Sequence, residues 1–145
     1  LLSYLIEMGY LEEIKARGRA ANPFFLLMGI VVDSFGNGQA ELSMQVRPDM
    51  LNGVGWLQGG LYTALCDEAM ALALYTALEN GERIATISES TSYLEGVRNG
   101  MIIAKGRVVK KGKNVAFTEG CVKKACGDEA VLTQTRASFT IIRRT

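Results

Sequence analysis

No histidine occurs among the 145 residues of this chain. That absence removes Ser-His and Cys-His nucleophilic pairs, HExxH zinc proteases and every imidazole general base. Proton transfer near neutral pH is left to a carboxylate, Lys, Tyr, Cys or water. Proline is scarce, with two residues, and no stretch has the composition of a flexible linker. No domain boundary is therefore placed, and residues 1–145 read as one domain large enough to bury a core. Cys66, Cys121 and Cys126 are odd in number and lack CxxC spacing, which supports neither a disulfide framework nor a zinc site. No metal is expected. Cys66 lies in an apolar run and reads as a small core residue.

Neither a signal peptide nor a membrane span is expected from the opening stretch. The opening Leu1-Leu2-Ser3-Tyr4-Leu5-Ile6 is closed by Glu7, too short for either, and has no basic leader. The leucine start reads as trimmed or partial, and a reduced, cytoplasmic setting is the expectation. The net charge of +1 conceals a split. Residues 1–100 carry 6 basic and 12 acidic side chains (−6), whereas residues 101–145 carry 10 and 3 (+7). The basic third suits an anionic ligand, or else is simply the solvated face of strands.

Residues 3–19 place Leu5, Met8, Leu11 and Ile14 among charges, the pattern of an amphipathic helix ending near Gly18. Residues 28–35 read as a strand, followed by the turn Gly36-Asn37-Gly38. The strictly alternating run 40–46 completes a hairpin. A glycine-rich loop, 52–60, leads into 61–78, whose only charges are Asp67 and Glu68. This is a helix of about five turns, apolar nearly all round and hence buried. A membrane span is rejected because each mid-segment acid would cost roughly 2.5–3.5 kcal/mol. Four β-rich segments follow at 84–94, 101–111, 114–124 and 130–142. An antiparallel sheet wrapped around one central helix accommodates this order, an α+β architecture. The other sheet face must then meet solvent, another helix or a second subunit.

A buried apolar helix has no structural use for a bare acid, which persists there only if paired, hydrogen-bonded or functional. Asp67 and Glu68 point about 100° apart and cannot share surroundings. One faces a cleft; the other reaches solvent or a partner chain. Gly59 and Gly60 sit at the helix entrance, where free N–H groups and the positive end of the helix dipole can hold a carbonyl oxygen. The plainer reading is that they permit a tight turn and close packing.

The run Asn52-x-x-Gly55-x-x-Gln58-Gly59-Gly60, followed by Leu65-x-Asp67-x-Ala69, resembles the signature of PaaI-type hotdog thioesterases. That signature has histidine where Gln58 stands and an aspartate nine residues later. Flanking stretches are similar too: 22–25, 28–30, Thr86, Ser92-Tyr93-Leu94 and 106–113. The resemblance implies a hotdog fold, with an N-terminal helix over 1–20 and the core over 21–145. It implies a homo-oligomer, at least a dimer, that hydrolyses acyl-CoA without a cofactor. Asp67 would act as general base or nucleophile across the subunit interface, and Gly59 N–H, joined by Gly60, as oxyanion hole. Asn52 and Thr86 would position the water or the carboxylate. Gln58 can orient groups through its amide but cannot titrate.

The same resemblance places Tyr93, Arg98, Lys110, Lys111, Gly112 and Lys113 at the pocket mouth, where Arg and Lys suit coenzyme A phosphates. Lysines on a hairpin are also ordinary edge protection. Glu68 is read as a surface or interface acid, and Glu89 as a reserve catalytic candidate. The rival readings are a hotdog protein that binds acyl-CoA or an acylated carrier without cleaving it, and a hydratase. The second needs a histidine this chain lacks. Nucleic-acid binding is not expected, because Phe117 and Phe139 do not interleave with the basic residues as a stacking platform would.

Overall fold

A computed structural model describes residues 9–128 and 130–143. Helix α1 spans Tyr10–Arg17 and passes through a 3-10 turn, Gly18–Ala21, into a second helix, α2, at Pro23–Met28. Strands β1 (Val31–Gly36) and β2 (Gln39–Val46) form the expected hairpin. The long helix α3 spans Gly59–Tyr75, and β3 (Glu82–Tyr93), β4 (Gly100–Lys111), β5 (Val115–Lys124) and β6 (Val131–Arg143) follow. The part of the expected N-terminal helix before Gly9 lies outside the described residues. No helix among the described residues is long and apolar enough to cross a membrane.

One expectation is corrected. Met28 does not open a strand; it closes α2. Asn22 caps that helix, its Oδ1 accepting the N–H groups of Phe24 at 3.0 Å and Phe25 at 3.3 Å. Pro23 stands at the first helical position and Gly29 ends the helix in the left-handed conformation, φ 69°. These are ordinary start and stop signals. The apolar run 24–28 matches a buried strand equally well, which is how a helix this short escapes periodicity.

The six strands form one antiparallel sheet in the order β1-β2-β4-β5-β6-β3. Helix α3 lies across β2, β4 and β5 and buries Tyr62, Leu65, Cys66, Ala69, Met70, Leu72, Ala73 and Leu74. Gly106 and Gly120, paired in the sheet, make its seat. A methyl group on Gly106 would stand 2.6 Å from the backbone of Ala69 and Met70, and one on Gly120 would stand 2.6 Å from Cys66 Sγ. At the other end, Thr76 Oγ1 accepts the Gly38 N–H at 2.8 Å, tying the hairpin turn to the helix end. Strand β3 differs from the rest. It is a sheet edge of 12 residues, none of them buried. This is the hotdog arrangement, a sheet curled against a single long helix, with α1 and α2 packed beside it.

Candidate active site

The loop into α3 is organised by Asn52. Its Oδ1 accepts from Val54 N at 3.0 Å and Trp56 N at 3.1 Å, and its own N–H donates to Trp56 O at 2.7 Å. Asn52 thus shapes the loop, and its carbonyl oxygen is taken up there. Gln58 is the N-cap of α3 and accepts the Gly60 N–H through Oε1. Gly60 therefore spends its donor on its own cap. Among the described residues the Gly59 N–H has no hydrogen-bond partner, and it sits at the first position of a 17-residue helix. An unpaired donor there is backed by the helix dipole. Of the two expected oxyanion donors, one remains free.

Tyr93 bears on this peptide group. Its hydroxyl donates to the Gly59 carbonyl at 2.8 Å and lies 3.1 Å from Thr63 Oγ1. The chain of hydroxyls continues from Thr63 to Thr91 at 2.8 Å and from Thr91 to Thr135 at 2.9 Å. A line of side chains thus joins the sheet interior to the helix entrance. Sequence reading missed Thr63, Thr91 and Thr135; only the excess of Ser and Thr in 86–92 hinted at a polar seam. Arg98 stacks on Trp56, its guanidinium carbon 3.9 Å from the ring centre, and so also belongs to this end.

Two turns further along α3, Asp67 faces β3, where Thr86 Oγ1 donates to Asp67 Oδ1 at 3.1 Å. Glu89 reaches the same carboxyl. Partial desolvation against α3, a hydrogen bond shared with Asp67 and the Asp67 charge together push the Glu89 carboxyl up to about 8. Glu68 turns the other way, toward the N-terminal segment. Asn22 Nδ2 donates to Glu68 Oε2 at 3.2 Å and to Tyr10 Oη at 2.9 Å. Burial, aided by Asp67 and opposed by the Asn22 bond, raises Glu68 to about 7. It is a half-buried bridge to α1 and α2, which its position in the sequence did not reveal. Cys66 is no nucleophile: burial foremost pushes its thiol up to about 12.

In one chain these groups do not form a single pocket. Asp67 lies eight residues beyond Gly59 on the same helix, roughly 12 Å along its axis. Lys110, Lys111, Gly112 and Lys113 lie at the far end of β4 from Gly100, a separation of roughly 36 Å. Lys111 pairs with Glu82 at 3.4 Å, and Arg143 closes on the same carboxylate at 3.0 Å. Gly112 makes the turn into β5, its N–H donating to Val115 O at 2.9 Å. Within one protomer, then, the lysines are not at the mouth of the Gly59 site.

The sequence profile of the thioesterase superfamily matches residues 55–131. Human acyl-coenzyme A thioesterase 13 is 32% identical over 108 residues, covering 74% of this chain and 76% of that protein. A Haemophilus influenzae protein bearing an esterase name is 28% identical over 88 residues, covering 61% of this chain and just under two thirds, 64%, of that protein. A solved structure of a phenylacetic acid degradation-related protein from Ralstonia eutropha superposes with a TM-score of 0.80 at 22% identity, covering 91% and 99% of the two chains. The chain belongs to the thioesterase superfamily. Its fold is the hotdog fold that it shares with the Ralstonia structure.

Proposed function

We propose that this chain hydrolyses an acyl-CoA thioester to the free acid and CoA, without a cofactor, in a site built from two copies of itself. The observation that carries this reading is the pairing of Asp67, held by Thr86 on an otherwise apolar helix, with the unpartnered Gly59 N–H at that helix's entrance. The amide receives the carbonyl oxygen and gains strength as that oxygen becomes an anion. Asp67 takes a proton from water or attacks the carbonyl carbon itself. The similarity to an acyl-coenzyme A thioesterase supports CoA as the thiol.

Two copies are required because one helix holds its own Gly59 and Asp67 too far apart to grip one thioester. Strand β3 offers the contact. A 12-residue unpaired edge with Ile87 and Tyr93 exposed is a template for another strand. Antiparallel pairing of two such edges runs the two α3 helices in opposite directions. That motion carries one copy's Asp67 and lysine-bearing end toward the other's Gly59 and Arg98. Lys110 and Lys113 are then available to the CoA phosphates; Lys111 is engaged by Glu82. A soluble cytoplasmic homodimer, or a homotetramer of two such dimers, is the form proposed.

The test is thiol release from a panel of arylacetyl and medium-chain acyl-CoAs. Wild type should cleave at least one, and Asp67→Ala should lose about 100-fold or more while still melting cooperatively. Gln58, which caps the helix and cannot titrate, favours one rival: a protein that binds acyl-CoA without cleaving it. That rival prevails if no thiol appears and acyl-CoA nevertheless raises the melting temperature.

A further inference from the structure

Strand β3 carries an irregularity beside Asp67. The pairing with β6 runs Thr86 to Phe139, then skips Ile87 and resumes at Ser88 with Ser138 and Glu89 with Ala137. Phe139 and Ala137 are buried on the helix side of the sheet. An unbroken strand would place Thr86 and Glu89, three residues apart, on opposite faces. The bulge at Ile87 re-phases the strand so that both face α3. Ile87 itself is left 56% exposed. One carboxylate thus meets two groups from one strand: the Thr86 hydroxyl, which donates to it, and the Glu89 carboxyl, which must share a proton with it to approach.

We propose that Glu89 is the positioning residue of Asp67: it keeps its proton and donates it in a hydrogen bond to the Asp67 carboxylate, so that the pair carries one negative charge. This rests on the hydrolytic reading above. Two carboxylates in contact cannot both ionise at little cost, so one proton stays between them. The ordering of roles follows from the neighbours. Asp67 accepts the Thr86 hydroxyl as well, whereas Glu89 has no such second donor among the described residues and is raised by partial desolvation, by the shared hydrogen bond and by the Asp67 charge. Among the described residues, the titratable groups facing Glu89 from α3 are Asp67 and Cys66, whose thiol is neutral. From β6 it meets Ala137, which carries no charge.

The proton balance is simple. In the general-base form, water gives one proton to Asp67 while its oxygen bonds to the carbonyl carbon. The C–S bond then breaks and the thiolate leaves with the proton that Asp67 had taken. The Glu89 proton does not travel. Its work is to hold the Asp67 carboxylate in one orientation. It also keeps a second negative charge away from an oxyanion and an anionic substrate.

The experiment compares Glu89→Ala and Glu89→Gln over pH 6–10, with 13C NMR titration of the glutamate carboxyls. Glu89→Ala should lose about tenfold in kcat with KM little changed, the size expected for one hydrogen bond to a charged group. Glu89→Gln should recover most of that loss, because its amide donates the same bond. Wild type should lose activity as pH rises through the Glu89 ionisation near 8, and the glutamine variant should lack that alkaline fall. In the NMR arm one glutamate should titrate near 8 and shift down in Asp67→Asn. The proposal is overturned if both Glu89 variants match wild type in rate and pH profile. It is equally overturned if the Glu89 carboxyl titrates as an ordinary glutamate. If wild type cleaves no thioester, the hydrolytic reading fails, and the NMR arm still decides the pairing.

Discussion

Helix α3 meets the sheet in two ways, and the contrast separates structure from chemistry. Over β4 and β5 it is seated on Gly106, where an added methyl would meet the helix backbone itself, and on Gly120, where it would meet Cys66 Sγ. Along β3 the contact is a seam of hydroxyls and carboxyls, with a bulge, a free strand edge and no fully buried residue. The first region resembles a crystal in its packing and tolerates no added volume. The second leaves polar groups unfilled, which is where a substrate and a second subunit can be accommodated. One helix carries both duties because its faces are divided lengthwise.

Breaking the seat should have the largest effect. Gly106→Ala places a methyl against backbone rather than against a yielding side chain, and should cost about 3 kcal/mol of stability or prevent folding. Urea unfolding measures it; a loss under ~0.5 kcal/mol would show that the helix can lift off the sheet. The seam should behave oppositely. Thr86→Ala removes the hydroxyl bonded to Asp67 and should cut kcat about tenfold while moving stability by under ~1 kcal/mol. A large loss of stability with intact activity would reverse the division drawn between the two regions.

The adjacent acids sharpen the same contrast. Glu68 belongs to neither the seat nor the β3 seam but to the joint with α1 and α2. Its carboxyl sits at about 7 in the folded chain against 4.5 as the ordinary value. A carboxyl raised by folding favours the folded state below its unfolded pKa. Stability should therefore decline as pH rises from about 4.5 to about 7 and then level off. Glu68→Gln keeps an oxygen for Asn22 and removes the charge. It should be more stable than wild type at pH 8 by on the order of 2 kcal/mol and no more stable at pH 4. Equal stability of the two proteins at pH 8 would discard the burial argument. The smallest effect belongs to Tyr93→Phe, which frees the Gly59 carbonyl and should cost about 1 kcal/mol in stability, with KM and kcat shifted together. No change in either would show that the Gly59 peptide is held by the Gln58 cap alone.

How far the chain could be read in advance varied with the length of the signal. Helix α3 and strands β3 to β6 lie within three residues of their expected ends, because each repeats its pattern over ten residues or more. Helix α2 escaped, six residues being too few to show a period. The glycine entrance and Asp67 were legible as chemistry out of place: a carboxylate in an apolar helix and glycines before it. The roles of Asn52 and Gly60 were not, because hydrogen bonds two to four residues away satisfied them locally, and that requires coordinates to see.

The residue pattern by itself determined the order of the longer elements, the single buried helix with Asp67 on it, and the exclusion of imidazole chemistry when histidine is absent. Those follow from periodicity, composition and spacing, which are properties of the linear chain. Only the tertiary structure decided that Glu89 lies beside Asp67, that Glu68 turns to Asn22, and that the lysines stand far from Gly59 in one protomer. The first depends on strand register, where a one-residue bulge at Ile87 changes which face a side chain takes without changing a residue's identity, the second on how the helices pack, and the third on the length of β4.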